Sequence, residues 1–425
     1  MRVARRSFLA STLASLAASA VTRVARADAP PIVLKLHHAF SAVSSVHDKF
    51  LAPWVRKVEA ETDGRLRIDL FPSMALGGAP AQLFDQVRDG AADIVWTAPG
   101  LAPGRFPKIE MFELPFLPAR RALVSSMALQ DFAANYLSDE FAEVRPICFS
   151  CADRGVIHAS AAVRSLEDIK GLKLYVQTRF AGETMRALGA IPVPMPSEEL
   201  PAAISGRVVD GCVDPWHMVP PLRLSDLLKT HTEFSDWSLS SQTYVLAMNK
   251  PAYAGLPPNI KSALDRNSGQ LAAGLAGAMW DMQADAVADN VAQTGDVIVT
   301  LLPEAVAHWR RASEPVVESF LKDMKEHKVD GGRMIASAHA LLAKYANLPE
   351  PQVPQTPPPQ QQAIAPPRSA GVTTTDAGTS APPAPVPKPA APIAASPPAV
   401  KPIPAPPAAS SPPAALPPEM LNIPL

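Results

Sequence analysis

Three short segments near the start of the chain, at 32–37, 65–71 and 93–96, predict strands, and in the second of them apolar and polar residues alternate with a period of two. Between the first two segments, Phe50, Trp54 and Val58 stand four residues apart, as on one apolar face of a helix. The order strand, helix, strand, helix, strand predicts right-handed βαβ units in a largely parallel sheet. We therefore expect strands at 32–37, 65–71 and 93–96 and helices at 46–61 and 81–88.

The second half of the chain repeats this succession. Gly171–Phe180 is typical of a short strand that leads through a polar turn into a helix, and Val208–Trp216 of a turn that enters another strand. In an α/β lobe, such strand ends hold ligand-binding side chains on a rigid scaffold. Thr243–Met248 is predicted to return the chain to the first lobe, so that two lobes form a hinged clam with a ligand cleft. Further predicted elements are strands at 145–151, 173–176 and 294–301, helices at 180–188 and 197–205, and mainly helical chain from 258 to 345.

The two ends of the chain differ in composition from its middle. A twin-arginine pattern at Arg5 and Arg6, a moderately apolar run and the small residues Ala25 and Ala27 are typical of a twin-arginine export signal at 1–27. Of the 48 prolines, 25 lie at or after Pro349, where apolar side chains are too few to offset the entropy of ordering. We expect a disordered Pro/Ala-rich tail at 349–425, either a spacer across the envelope or a dispensable extension.

The remaining chain is long enough for two α/β lobes. We assign lobe I to 28–151 and 240–279, and lobe II to 152–239 and 280–348. The formal net charge of −1 gives no electrostatic reason to expect nucleic acid or an acidic membrane as a partner. Outside the signal, no stretch approaches ~18 consecutive apolar residues, so we expect an exported protein that does not itself span a membrane.

The cysteines and the motif content favour neither redox nor catalytic chemistry. Cys148 and Cys151 have redox spacing, but residues i and i+3 of a strand point to opposite faces, so buried thiols are expected. Cys212 has no obvious partner. The nucleophile-elbow, zinc-protease and phosphate-loop motifs are lacking, so we expect no enzyme and no cofactor. No metal-ligand spacing relates His37, His38 and His217.

Six short motifs occur in a fixed order along the middle of the chain. They are the segments at 65–78, Phe112–Phe116, Ser165–Lys173, Ala187–Ala190, Val208–Gly211 and Met248–Lys250. Together they resemble the substrate-binding proteins of TRAP transporters, the DctP type, from about Leu34 to Thr300. The resemblance implies a two-lobe, periplasmic-binding-protein-like α/β clam with hinge crossings and a mainly helical C-terminal part. It also implies a periplasmic receptor that delivers an organic acid to the transporter's membrane subunits.

In the family resembled, an arginine in the strand at 173–176 fixes the ligand carboxylate, because a guanidinium matches a carboxylate in two hydrogen bonds. This chain has Tyr175 at that position, and a phenol offers one hydrogen bond without a full charge. Arg179 is the nearest replacement, and Arg154 matches a second common arginine. Asp214 is acidic where the family usually has an amide, and is expected to orient an arginine or to touch the ligand.

Aromatic residues at strand ends complete the candidate ligand-binding set. Each has a plain alternative as a core residue, just as Arg154 has one as a surface ion pair. The further candidates are Trp216, Trp96, Thr97, Phe40 and Trp237.

The main interpretation is a receptor for a small organic acid held by Arg154 and Arg179, with Tyr175 adding a hydrogen bond. The alternative is a binding protein for a neutral or aromatic ligand that acts in envelope sensing or scaffolding rather than transport. Replacement of the arginine by Tyr175, the acidic Asp214 and several tryptophans favour this alternative.

Overall fold

The computed structural model describes residues 30–348, so the predicted signal peptide at 1–27 and the predicted tail at 349–425 lie outside the described residues. Within 30–348 the chain forms eleven strands and fourteen α-helical segments. The strands are β1 Ile32–His38, β2 Leu66–Phe71, β3 Ile94–Thr97, β4 Val144–Cys151, β5 Gly155–Ala159, β6 Lys173–Val176, β7 Ile191–Pro194, β8 Gly211–Pro215, β9 Thr230–Phe234, β10 Thr243–Asn249 and β11 Val297–Leu301. The helices are α1 Ala52–Ala60, α2 Leu83–Asp89, α3 Ala122–Tyr136, α4 Leu166–Ile169, α5 Arg179–Ala187, α6 Leu200–Ser205, α7 Val219–Leu222, α8 Leu224–Leu227, α9 Lys250–Ala254, α10 Pro258–Arg266, α11 Gln270–Gln293, α12 Pro303–Ala312, α13 Glu314–Glu326 and α14 Gly331–Tyr345.

Five strands form the first sheet, in the order β2–β1–β3–β10–β4. β1 runs parallel to β2 and β3, as expected of the βαβ units that α1 and α2 connect. β10 is antiparallel to β3 and β4, so the sheet is mixed rather than largely parallel. The difference arises because β10 arrives from the second sheet without a crossover helix. Its place confirms that Thr243–Met248 returns the chain to the first lobe.

Six strands form the second sheet, in the order β11–β9–β5–β8–β6–β7. β6 is parallel to β7 and β8, whereas β5 is antiparallel to β8 and β9. The predicted strands at 173–176 and near 294–301 are confirmed as β6 and β11, and the strand after Val208 is β8. Strands β5, β7 and β9 lie outside the segments predicted as strands. The two mixed sheets with their helices confirm the α/β class and the two-lobe architecture.

The strands β3 and β10 in the first sheet are buried on both faces. Cys148 of β4 belongs to an apolar cluster with Trp96 and Leu246, and Cys151 to a different cluster with Val245 and other residues of β10 and α3. Both cysteines are buried and unbridged, which confirms the expected thiols. Burial raises the pKa of both thiols, so neither is a reactive thiolate.

The helices after β10 pack on both sheets. α11 lies against α3 and β4 and also contacts the turn after β8, while α14 packs on α3 and α13 contacts α5. The lobe boundaries at 151/152, 239/240 and 279/280 stay predictions, and the packing of α14 favours placing 331–345 with the first sheet. Across residues 30–348, every helix is too short or too polar to cross a bilayer.

α3 and α11 approach each other closely at Gly277, where a Cβ would lie 2.6 Å from Leu123 Cα and 3.0 Å from Ala122 O. We predict that Gly277→Ala lowers the free energy of unfolding by about 1–3 kcal/mol, because the backbone of α3 must move. Gly274→Ala, about one turn away, is the control, since its Cβ would meet only side-chain atoms, the nearest being Met127 Sδ at 3.3 Å. Urea unfolding measures both, and equal stability of the two variants would contradict this account.

Candidate ligand-binding site

A narrow pocket lies where the chain crosses between the two sheets. The first crossing joins β4 to β5 and the second joins β9 to β10, while the helices from α9 to α11 lead back from β10 to β11. The turn from β6 into α5 and the end of β8 close the pocket from the second sheet. Its lining residues are Asp153, Gly155, Gln177, Thr178, Ala181, Val213, Asp214, Pro215, Ser240, Ser241 and Gln242.

Asp214 is a pocket residue with a buried carboxyl group that lacks hydrogen-bond partners within the described part of the chain. Its side chain is 1% exposed, and within residues 30–348 neither carboxyl oxygen has a hydrogen-bond partner. Burial, and after it the charge of Asp153, raises the pKa of Asp214 well above its usual range. A buried carboxyl group without partners is stable only as the neutral acid or with a ligand group beside it.

Asp153, by contrast, is fully engaged. Its Oδ1 contacts Nδ1 of His217 in a short contact, and its Oδ2 accepts a hydrogen bond of 3.1 Å from the His217 backbone N–H. The His217 ring lies 4.5 Å from the ring of Trp280, centroid to centroid. Asp153 therefore ties the end of β8 to the first crossing and to α11.

An aromatic cluster borders the pocket on the side of the first sheet. Trp96 stacks on Tyr244 with 5.1 Å between ring centroids, and Trp280 lies 5.6 Å from Tyr244 and 6.2 Å from Phe40. The Tyr244 hydroxyl donates to Oε1 of the pocket residue Gln242 over 2.7 Å. Among the described residues, Trp96 Nε1 and Trp280 Nε1 are buried without a partner. Both indole rings are almost fully buried in the apolar core of the first sheet, and the Tyr244–Gln242 hydrogen bond joins this cluster to the pocket.

Arg154 lies outside the pocket lining and is held by acidic groups. Its Nε donates to Glu233 Oε2 over 2.7 Å and its Nη1 to Asp285 Oδ1 over 3.0 Å. Glu233 also accepts from Arg120 Nη2 over 2.8 Å and from Trp216 Nε1 over 3.2 Å. Burial alone would raise the pKa of Glu233, but the charges of Arg154 and Arg120 outweigh burial and hold that pKa below its usual range. These contacts fit the plain alternative, an ion pair, although the partner is buried.

Arg179 also points to acidic side chains rather than to the pocket. Its Nε donates to Glu183 over 2.8 Å, its Nη2 makes a short contact with Asp323, and its guanidinium lies 4.7 Å from the Phe180 ring. The adjacent Gln177 and Thr178 line the pocket instead. The two arginines proposed from sequence are therefore not brought together at a common anion site.

The remaining candidates lie around the pocket. Tyr175 is buried, and its pKa is raised by burial and then by the charge of the neighbouring Asp214, so it stays a neutral phenol. Trp216 is packed in the same apolar cluster as Tyr175. Thr97 is buried at the end of β3, whereas Trp237 lies under Arg310 at 5.0 Å and pairs with Ala119. Of the nine candidates, Asp214 alone lines the pocket, and Trp96 and Phe40 belong to the bordering aromatic cluster.

Several residues at the site escaped the sequence analysis. Gln177 and Thr178 were detectable, because they follow a predicted strand directly within the polar turn. Nothing local marked Asp153, Gln242 or Trp280, since their positions depend on the crossings and on α11.

A pocket at the crossings between two α/β sheets defines the class, a two-lobe solute-binding protein. The family described as "Bacterial extracellular solute-binding protein, family 7", DctP, matches residues 36–323, and the chain belongs to this family. The resemblance to TRAP substrate-binding proteins is therefore confirmed, and the family consists of receptors rather than enzymes.

Solved and curated relatives agree with this assignment. A TRAP solute-binding protein from Rhodoferax ferrireducens T118 with copurified benzoate is 34% identical, covers 74% of this chain and 98% of its own, and has a TM-score of 0.70. A marine metagenome TRAP solute-binding protein specific for aromatic acid ligands, in complex with 3-hydroxybenzoate, is 35% identical. The match covers 75% of this chain and 99% of that protein, with a TM-score of 0.71. The C4-dicarboxylate-binding periplasmic protein DctP of Rhodobacter capsulatus is 26% identical over 74% of this chain and 92% of its own.

The position of Arg179 leads to a prediction about ligand affinity. Because Arg179 is engaged by Glu183 and Asp323, we expect Arg179→Ala to change the affinity for the ligand of this pocket less than about threefold, within ~0.7 kcal/mol. Isothermal titration calorimetry provides the measurement, with Arg186→Ala on the same helix as the control. A loss of more than about tenfold, ~1.4 kcal/mol, would restore the ligand role proposed for Arg179 from sequence.

Proposed function

We propose that this protein is a periplasmic receptor that captures a small organic acid with a compact, aromatic body and delivers it to a TRAP-type transporter. The family assignment and the relatives that bind benzoate and 3-hydroxybenzoate support the ligand class. Export through the signal predicted at 1–27 agrees with the extracellular description of the family.

The observation that carries this proposal is the contact between the aromatic cluster and the polar pocket. Gln242 lines the pocket and accepts a hydrogen bond from Tyr244, which stacks on Trp96. We place the aromatic ring of the ligand on the side of the pocket that borders this cluster, where aromatic pairs gain about 0.5–1.5 kcal/mol beyond area burial. The carboxyl end of the ligand then lies toward Asp214 and the turn at Gln177.

Capture is proposed to proceed by closure of the two sheets about the crossings. In the open form the ligand contacts one lobe first, and closure removes water and strengthens its hydrogen bonds in a lower dielectric. The ligand thereby shifts an equilibrium between two states. The membrane subunits recognise the surface of the closed form, so that only the ligand-bound receptor delivers its ligand to the transporter.

The other sequence-derived candidates receive supporting roles in this proposal. Arg154 positions the first crossing through Glu233, and Tyr175 and Trp216 form the buried support behind Asp214. Thr97 fixes the end of β3 beneath the aromatic cluster, and we assign Trp237 to the wall of the second crossing.

A neutral aromatic ligand, bound for envelope sensing rather than transport, is the second candidate. It is favoured by the two carboxyl groups in the pocket lining and by the lack of an arginine or lysine among the described lining residues. Benzamide, the neutral counterpart of benzoate, separates the two: benzamide binding without benzoate binding would favour this second function.

We predict that the exported full-length chain binds benzoate or 3-hydroxybenzoate, and that ligand at about 100 times its dissociation constant adds ~2.7 kcal/mol of stability. Native mass spectrometry after purification identifies any acid that copurifies, and thermal unfolding measures the stabilisation. Failure of both acids to bind, with no acid released from the purified protein, would refute the organic-acid receptor.

A matched pair of glutamine variants locates the site. Gln177→Ala is expected to weaken benzoate binding about two- to tenfold, because an exposed pocket residue loses a hydrogen bond worth ~0.5–1.5 kcal/mol. Gln293→Ala, exposed at the end of α11, is the control and should bind normally. Equal affinities of the two variants would place the ligand elsewhere.

A further inference from the structure

Asp214 and the N-terminus of α5 face the same pocket. Thr178 caps α5 by accepting a hydrogen bond from the Ala181 N–H over 3.2 Å, and both residues line the pocket with Asp214. A helix N-terminus carries partial positive charge and free N–H groups, which stabilise an anion. Asp214 is the independent second feature, a carboxyl group 1% exposed with both oxygens unpaired within residues 30–348.

An acid ligand placed here meets a carboxyl group rather than an arginine. Two carboxylates in contact repel each other, so such a pair is stable only when the two groups share one proton. A neutral carboxyl group then serves as a hydrogen-bond donor to an anion, a role documented for buried acids in apolar sites. Like a side-chain amide, a neutral carboxyl group has one donor side and one acceptor oxygen.

We propose that the receptor binds its acid ligand together with a proton, with neutral Asp214 donating a hydrogen bond to the ligand carboxylate at the N-terminus of α5. The inference rests on the proposed organic-acid function and adds to it the residue and the protonation state that recognise the carboxylate.

The surroundings of Asp214 favour its neutral form. Asp153 lies nearby and is hydrogen-bonded to His217, and its negative charge opposes a second one on Asp214. His158 Nε2 donates a hydrogen bond of 3.1 Å to the backbone oxygen of Asp214. This hydrogen bond does not involve the side-chain carboxyl group of Asp214. No arginine or lysine of the described chain perturbs Asp214. The titratable groups that face it are Asp153 from the first crossing, Tyr175 from β6, Cys212 from β8, Tyr244 from β10 and, through the backbone oxygen, His158 from β5.

Benzoate binding by the wild type, Asp214→Asn and Asp214→Leu tests the proposal. We expect Asp214→Asn to bind within about fivefold of the wild type at low pH, since its amide donates the same hydrogen bond. Asp214→Leu is expected to lose tenfold or more. Above the pKa of Asp214 the wild-type affinity falls about tenfold per pH unit, whereas that of Asp214→Asn stays constant.

Infrared difference spectroscopy gives a direct readout of the proton. Benzoate-bound wild type should show a carboxylic-acid C=O band near neutral pH that Asp214→Asn lacks. Equal benzoate affinity of wild type and Asp214→Leu, or absence of the band, would overturn the proposal while the organic-acid function stands. An affinity that rises with pH and requires the hydroxyl of 3-hydroxybenzoate would also overturn it, because ionised Asp214 would then accept from the ligand.

The two proposals fail separately. If neither acid binds any of the three proteins, the organic-acid function fails, and the same band measured on the ligand-free protein still decides whether Asp214 is neutral. Should Asp214→Leu not fold, the wild type and Asp214→Asn together with the band remain sufficient.

Discussion

The buried ion pair between Arg154 and Glu233 is the constraint on which the arrangement of the two sheets depends. Arg154 stands on the crossing from β4 to β5, and Glu233 in β9 also accepts from Arg120 and from Trp216. Burying such charges costs several kcal/mol per ion, and only the complete set of partners offsets this cost. The first crossing, β9 and the end of β8 are therefore held together in the folded protein. Residues of the crossing and of the end of β8 line the pocket, so their positions determine its shape.

Two ion pairs hold the arginine candidates away from the pocket. Because Glu233 engages Arg154 and Asp323 engages Arg179, neither guanidinium lines the pocket. The pocket is left with Asp153 and Asp214, of which Asp153 is committed to His217. The chain thus combines a fold whose relatives bind acids with a pocket that lacks an arginine. A shared proton and a helix N-terminus resolve this conflict without another charged residue.

Most of the fold could be predicted from the sequence, because one-sided burial leaves periodic patterns. β1, α2 and β10 lie within one or two residues of their predicted bounds. β9 could not be predicted, since Thr230–Phe234 has polar residues that are buried by pairing: His231 contacts His158 over 2.7 Å, and Glu233 holds Arg154. Hydrophobic periodicity reveals segments that bury apolar side chains. It does not reveal segments whose polar side chains are buried through hydrogen bonds to distant parts of the chain.

The site was predictable to the level of the strand ends and no further. The turn after β6 contributes to the pocket, but the sequence could not show that Gln177 and Thr178 line it while Arg179 contacts Asp323 on α13. A guanidinium pairs with whichever carboxylate lies closest in the folded protein. For Arg179 this carboxylate is on α13, more than a hundred residues away in the chain, so the local sequence could not reveal the pair. Asp214 is the opposite case: within residues 30–348 the fold places no hydrogen-bond partner beside its carboxyl oxygens, which leaves them available to a ligand. A residue type marks what chemistry is available, whereas the tertiary partners decide whether that chemistry stays free for a ligand.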